Sequence, residues 1–136
     1  MKITVPGKPI AKARPRFVRR GSGVYTYNGQ QTEEGKWLLS ARSQITHKIN
    51  RPIGILLSFY LPRPKCHYGI GKNADKLKAS APHYPDKKPD LDNLIKFVLD
   101  CLNGEAWDDD KQIVSIEADK YYTGKDPQTV IYITEF

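Results

Sequence analysis

The sequence has 136 residues, which is enough for one domain with a single hydrophobic core. It carries 22 Lys+Arg against 15 Asp+Glu, a formal net charge of +7, and this balance favours an anionic partner such as a nucleic acid. No run approaches the ~18 apolar residues of a membrane span, and neither the first ten residues nor the cysteine content indicates secretion. We therefore expect a cytoplasmic protein with no membrane partner.

A short strand is predicted at residues 2–5, and a strongly basic segment follows it. No acidic residue occurs before Glu33, and prolines and glycines favour an extended, loose backbone here. Such clustered charge is typical of a segment that follows a phosphate backbone, and its interleaved aromatic residues can stack on unpaired bases. A solvated basic loop is the alternative. The candidate DNA contacts in this segment are Lys12, Arg14, Arg16, Arg19 and Arg20.

The middle of the chain is predicted to contain a helix, a strand and a long loop. The helix begins at Thr32 as its N-cap, extends to about residue 49 and suggests no chemistry. Residues 53–61 form a continuous apolar run, which predicts a buried strand. Residues 62–86 form a loop whose length indicates either function or disorder. We expect this loop to be mobile without DNA and to help hold DNA, with Lys76 inside it and Lys87 and Lys88 just after it as candidate contacts.

A second helix is predicted from Asp90, its N-cap, to the Asn103-Gly104 stop. Asp92 and Lys96 lie side by side on the border of its apolar face. The helix dipole is a sufficient reason for two carboxylates at a helix start, and Lys96 has an ordinary explanation as an ion-pair partner of Asp92 or Asp100. The residues that define the apolar face are Leu91, Leu94, Ile95, Val98, Leu99 and Leu102.

An acidic run follows this helix at Asp108, Asp109 and Asp110, and two further strands are predicted at residues 113–122 and 129–136. Like charges in a run repel unless a cation or basic group neutralises them, and a solvated acidic turn is the alternative. The fold class is therefore α+β: one small domain with a mixed sheet, two main helices and the order β-α-β-α-β-β. Because Asp110 precedes a strand that can pass beside the second helix, we expect it to lie near Asp90 and Asp92.

The concentration of aspartates in a basic chain suits a divalent cation that faces an anionic polymer. Carboxylate oxygens without nearby cysteine or histidine favour Mg²⁺, with Mn²⁺ as a substitute, over zinc. A calcium-binding loop is excluded because Leu94 and Ile95 stand where that loop needs an oxygen ligand and a glycine.

Two motifs carry a family resemblance: DLDNLIK at residues 90–96 and WDDDKQI at residues 107–113. Together they resemble the RusA family of Holliday-junction resolvases, and PGKPIAKARPRF near the start resembles members from Gram-positive bacteria and their phages. The resemblance implies that Asp90, Asp92 and Asp110 bind the metal and that Lys96 is catalytic. Asp109 corresponds to the acid preceding the third carboxylate and is a further candidate metal ligand. The additional aspartate, Asp108, leaves open which pair of the run faces the metal. The resemblance also implies a homodimer that makes paired nicks across a four-way DNA junction without a nucleotide cofactor.

Two other functions fit the sequence. The first is a non-catalytic nucleic-acid-binding protein in which the aspartates only cap helices and turns. The second is a metal nuclease that cuts other branched DNA or single strands. A substrate panel separates the second from junction resolution, and chelation separates the first from both.

Overall fold

The computed structural model describes residues 1–13, 16–21, 23–27 and 30–136, and side chains at residues 16–20 and 24–27 are outside the description. The chain folds into one small α+β domain, as predicted. Its elements are β1 (Lys2–Pro6), β2 (Arg16–Arg20), β3 (Gly23–Tyr27), α1 (Gln31–Arg42), β4 (Ile53–Pro62), α2 (Leu91–Leu102), β5 (Ile113–Thr123) and β6 (Gln128–Glu135). Single 3₁₀ turns occur at Lys65–His67, Gly71–Asn73 and Asp110–Gln112.

A mixed four-stranded sheet in the order β1-β6-β4-β5 forms the centre of the domain. β6 is antiparallel to both β1 and β4, whereas β4 and β5 are parallel, which requires a crossover connection between them. That crossover contains α2. The predicted order β-α-β-α-β-β is confirmed for the main sheet and its helices, with the β2-β3 hairpin inserted between β1 and α1.

One face of the sheet packs against both helices, because alternate residues of β4 point into the same core as α1 and α2. Ile53, Ile55, Leu57 and Phe59 are all buried on this face. The ring of Trp37 in α1 meets that of Phe97 in α2 edge-on, with centroids 5.8 Å apart. The core therefore fixes the position of α2 against the sheet.

Helix α2 begins and ends close to the predicted residues. Asp90 occupies the N-cap position and Asn103 the C-cap position. Its buried side chains are Leu94, Phe97, Val98, Cys101 and Leu102, whereas Leu91, Ile95 and Leu99 are only partly buried. The buried face is thus rotated toward Phe97 and Cys101 from the face that the leucine spacing predicted.

Helix α1 is shorter than predicted. It ends at Arg42 instead of extending to residue 49, and Gln30 instead of Thr32 occupies the N-cap position. Ile49 pairs with Trp107 in an isolated bridge, so its burial belongs to the sheet side of the core and not to a helical stripe. Among the described residues, no helix is both long and apolar enough to cross a bilayer.

Candidate functional site

Two carboxylates lie open to solvent at the amino end of α2. Asp90 has an extended backbone, φ −71° and ψ 140°, and its side chain makes no capping hydrogen bond. The Asp92 Oδ1 accepts one hydrogen bond, at 3.0 Å, from the backbone N–H of Asn93. Both side chains are exposed. Asp90 therefore occupies a capping position without acting as a cap, and its carboxylate is available to a ligand.

Lys96 lies one helical turn after Asp92 and is also exposed. The described residues include no hydrogen-bond or ion-pair partner for its ammonium group. Asp100, one of its two expected partners, instead pairs with Lys12 at 3.3 Å. The alternative that Lys96 serves an ion pair within α2 is therefore not realised.

Basic residues surround this end of the helix. Lys8, Lys88, Asp90 and Asn93 line an open cleft of about 670 Å³. On the neighbouring strand, the Lys120 ammonium donates hydrogen bonds to the backbone oxygens of residues 87 and 89, at 3.0 and 2.9 Å. Two lysines against one carboxylate in the lining of this cleft favour an anionic ligand beside Asp90.

Sequence reasoning missed Lys8 and Lys120 as parts of this site. Lys8 belongs to the basic amino-terminal segment, so its charge could have identified it as a candidate phosphate contact. Lys120 carried no such signal, because only the pairing of β5 with β4 brings it against the segment before α2.

Lys12, a predicted DNA contact, has a different role in the structure. Its ammonium lies 2.8 Å from Glu34 and 3.3 Å from Asp100, and only 20% of the side chain is exposed. Burial alone would lower the pKa of Lys12, but hydrogen bonds and charges from Glu34 and Asp100 outweigh it, so the pKa is raised. Its backbone N–H also donates to Asn93 O at 3.0 Å. Lys12 thus clamps the amino-terminal segment to both helices instead of presenting its charge to a phosphate.

The other predicted DNA contacts divide into two groups. Lys76, Lys87 and Lys88 are exposed and lie in or directly after the loop that leads into α2. Arg14 lies outside the described residues, and the side chains of the remaining arginines on β2 lie outside them too. These remaining residues are Arg16, Arg19 and Arg20.

The acidic run is built into the connection from α2 to β5. Trp107 is completely buried, and its indole Nε1–H donates to Asp110 Oδ1 at 2.8 Å. The Asp109 carboxylate accepts from the backbone N–H of Lys111 at 3.0 Å, which caps the short 3₁₀ turn. Asp108 faces Lys48 at 3.7 Å. Each member of the run therefore has a partner within the chain.

Topology separates this run from Asp90 and Asp92. β4 and β5 run in the same direction, and α2 returns the chain between them, so β5 starts at the carboxyl end of α2. The hydrogen bonds of Gln112, just before β5, confirm that β5 starts beside the start of β4. Its side chain donates to the backbone oxygens of Ile49 and Arg51, which come just before β4. A 12-residue helix spans about 18 Å. The prediction that Asp110 meets Asp90 and Asp92 within one chain is wrong.

The same separation keeps the expected metal ligands apart. Among the described residues, no three side chains of the His, Cys, Asp and Glu types come together in a way that could hold a metal ion. Asp90 and Asp92 supply oxygen ligands of the kind that Mg²⁺ takes, but one chain alone does not complete a three-carboxylate set. The ligand set implied by the resemblance therefore does not form within a single chain.

The fold and the site define a small basic α+β domain with an open cleft at the amino end of α2. Lys8, Lys88 and Asp90 line this cleft, and Asp92 and Lys96 are exposed on the same helix. Residues 6–134 match the family model for endodeoxyribonuclease RusA. The chain belongs to this family of endodeoxyribonucleases, which confirms the resemblance of the two motifs. It is also similar to the uncharacterized protein YqaN of Bacillus subtilis, at 30% identity over 138 residues that cover 99% of this chain and 96% of YqaN.

Proposed function

We propose that this protein is a Mg²⁺-dependent endonuclease that resolves four-way DNA junctions by paired nicking. The observation that supports it most directly is the amino end of α2, where Asp90 makes no capping bond and Lys96 has no described partner. Water solvates these exposed groups in the free protein, so neither is committed to an interaction within the described part of the chain. A phosphate and a cation at the basic cleft can therefore take the place of that water.

The proposal includes a homodimer in which the partner subunit supplies the third carboxylate. One chain keeps Asp110 at the far end of α2, so a second copy must bring its own Asp110 to Asp90 and Asp92. β5 is an edge strand of 11 residues, and Val114 and Ile116 on it are exposed, which suits pairing with another chain. Two β5 strands in antiparallel pairing would set the start of one beside the end of the other, where Lys120 contacts the segment before α2.

Asp110 is the member of the acidic run that fits this role best. Its Oδ1 accepts from the Trp107 indole, which orients the carboxylate, and Oδ2 has no described partner. A hydrogen bond of this kind commonly fixes a metal-binding carboxylate. Asp109 is the weaker candidate because its carboxylate caps the 3₁₀ turn.

The chain's own residues would divide the remaining work. Lys8 and Lys88 hold phosphates of the strand in the cleft, and the Lys96 ammonium stabilises negative charge that builds on the phosphate during cleavage. Mg²⁺, when bound, would supply Lewis-acid polarisation of the phosphate. No group in this scheme needs a nucleotide cofactor.

The test is cleavage of a labelled four-way junction beside a fork, a single strand and a linear duplex, with Mg²⁺, Mn²⁺ or EDTA. Asp92→Asn is the site variant, and Asp126→Asn, an exposed aspartate in the turn between β5 and β6, is the matched control. We expect symmetric nicks in the junction that EDTA and Asp92→Asn abolish while binding persists and Asp126→Asn stays active. Cutting of forks or single strands instead would indicate a nuclease of other specificity.

A non-catalytic DNA-binding protein is the second candidate, and the absence of a three-carboxylate cluster among the described residues of one chain favours it. It predicts tight junction binding without cleavage in either metal, and it predicts that Asp92→Asn changes only stability.

A further inference from the structure

The loop between β4 and α2, residues 63–86, is folded on a fixed base. Arg63 donates to Pro82 O at 2.6 Å, and its guanidinium lies 4.7 Å from the centre of the Tyr122 ring on β5. His67 is buried and meets the same ring edge-on, with centroids 5.2 Å apart. These contacts join both ends of the loop to the sheet, at the end where α2 begins.

Beyond this base the loop forms a short ladder that ends in a tight tip. Tyr68 and Leu77 pair antiparallel, and the backbone N–H of Gly69 donates to Lys76 O at 2.9 Å. A Cβ at Gly69 would lie 2.7 Å from the backbone of Asn73, and Gly71 has φ +62°, so the tip is built for glycine at both positions. Ile70 stands between these two glycines and is therefore presented at a defined place.

The apolar side chains of this loop are exposed to an unusual degree. Among the described residues, Ile70 and Tyr84 are the most exposed large hydrophobic side chains, at 88% and 70%. Ile70 also borders a recess of about 440 Å³ that Tyr68 and Ala74 line and Lys65 flanks. Ile70 and this recess together form one apolar surface at a fixed tip, and such a surface suits contact with a bound partner.

The charge around the tip identifies the chemistry of that partner. Lys65 lines the recess beside Ile70, and the other lysines of the loop are also exposed. Asp75 and Asp86 are the acids among residues 63–86. Exposed lysines around an apolar side chain suit a strand whose phosphates meet the charges and whose bases meet the apolar surface. A protein partner is less well matched, because the lysines would lose hydration without gaining a phosphate. The lysines of the loop are Lys65, Lys72, Lys76 and Lys78.

We propose that this tip is a wedge that engages unstacked bases at a DNA branch point, with Ile70 as the inserting side chain. The proposal rests on the proposed function and adds the element that distinguishes a branched substrate from a linear duplex. Bases at a branch point are already partly unstacked, so insertion there costs less than in a continuous duplex. Ile70 is thus a specificity-determining residue, distinct from Asp90, Asp92 and Lys96.

The test measures base unstacking in EDTA, where no cleavage occurs. A four-way junction and a matched linear duplex each carry 2-aminopurine, at the crossover and at the same sequence position respectively. Its fluorescence rises when the base unstacks. The variants are Ile70→Ala, Ile70→Phe and Leu39→Ala. The last removes another largely exposed apolar side chain, 69% exposed, from α1.

We expect the wild type to raise the junction signal and leave the duplex signal unchanged. Ile70→Ala should lose the rise and bind the junction about tenfold more weakly, while its duplex affinity stays the same. Ile70→Phe should retain the rise, and Leu39→Ala should behave as the wild type. Unchanged fluorescence and unchanged junction preference in Ile70→Ala would overturn the wedge.

The wedge proposal and the nuclease proposal can fail independently of each other. A protein that unstacks the crossover through Ile70 but never cuts in Mg²⁺ retains the wedge and loses the nuclease proposal. A protein that nicks junctions equally well with Ile70→Ala retains the nuclease proposal and loses the wedge.

Discussion

Replacing Asp110 separates its structural role from its proposed role in metal binding. Trp107 is completely buried, and Asp110 Oδ1 accepts its indole N–H at 2.8 Å. In Asp110→Ala that donor loses its partner, and a buried unsatisfied donor costs about 1–3 kcal/mol. In Asp110→Asn an amide oxygen can still accept the bond, so the loss of unfolding free energy should stay below about 1 kcal/mol.

The assay is urea unfolding followed by tryptophan fluorescence, with thermal unfolding as a second measurement. For a domain of this size, each 1 kcal/mol corresponds to about 4 °C in melting temperature. Asp110→Ala should therefore melt about 4–12 °C below the wild type, and Asp110→Asn close to it. Equal stability of Asp110→Ala and the wild type would refute the argument, and so would equal destabilisation of both variants.

Three further results are expected. Burial raises the pKa of the Cys101 thiol to about 12, so at about pH 8 a thiol reagent should modify exposed Cys66 in the folded protein and Cys101 only after unfolding. Glu34 and Asp100 raise the pKa of Lys12 despite its burial, so its contribution to stability is complete below about pH 10 and is lost as the pH rises further. Lys12→Met should therefore be less stable than the wild type at neutral pH, with the difference closing in alkaline urea titrations. Finally, Lys76→Ala and Lys88→Ala should each reduce the slope of log K against log salt for DNA binding by about 0.9, which a salt titration measures.

The predictable parts of the fold are those that local pattern determines. The spacing of leucines and a following Asn103-Gly104 were sufficient to place α2, since a helix buries residues at a fixed period. The same pattern could not show which residues at the border of the face are buried, and Phe97 was missed for that reason. Helix α1 has a weaker apolar pattern, and its predicted extension to residue 49 followed apolar residues that the sheet side of the core buries.

The candidate site was also predictable only in part. The identity of its carboxylates came from the motifs, but their arrangement depends on which strands pair. A parallel β4-β5 pair forces α2 to run back against the strands, and this places Asp110 away from Asp90. Nothing in the local sequence around residues 107–113 specifies that pairing. The bond from Lys12 to Glu34 and Asp100 was unpredictable for the same reason, because it joins three separate elements.

Subunit mixing tests the central claim most directly, namely that the cutting site joins Asp90 and Asp92 of one chain with Asp110 of another. We expect Asp92→Asn and Asp110→Asn each to be inactive alone. The two variants are mixed in equal amounts and allowed to exchange subunits. If sites form between chains, every mixed dimer contains one site with both substitutions and one intact site, so about a quarter of wild-type nicking should return, as single nicks. If each site forms within one chain, both sites of the mixed dimer carry a substitution and the mixture should remain inactive, which would contradict the account.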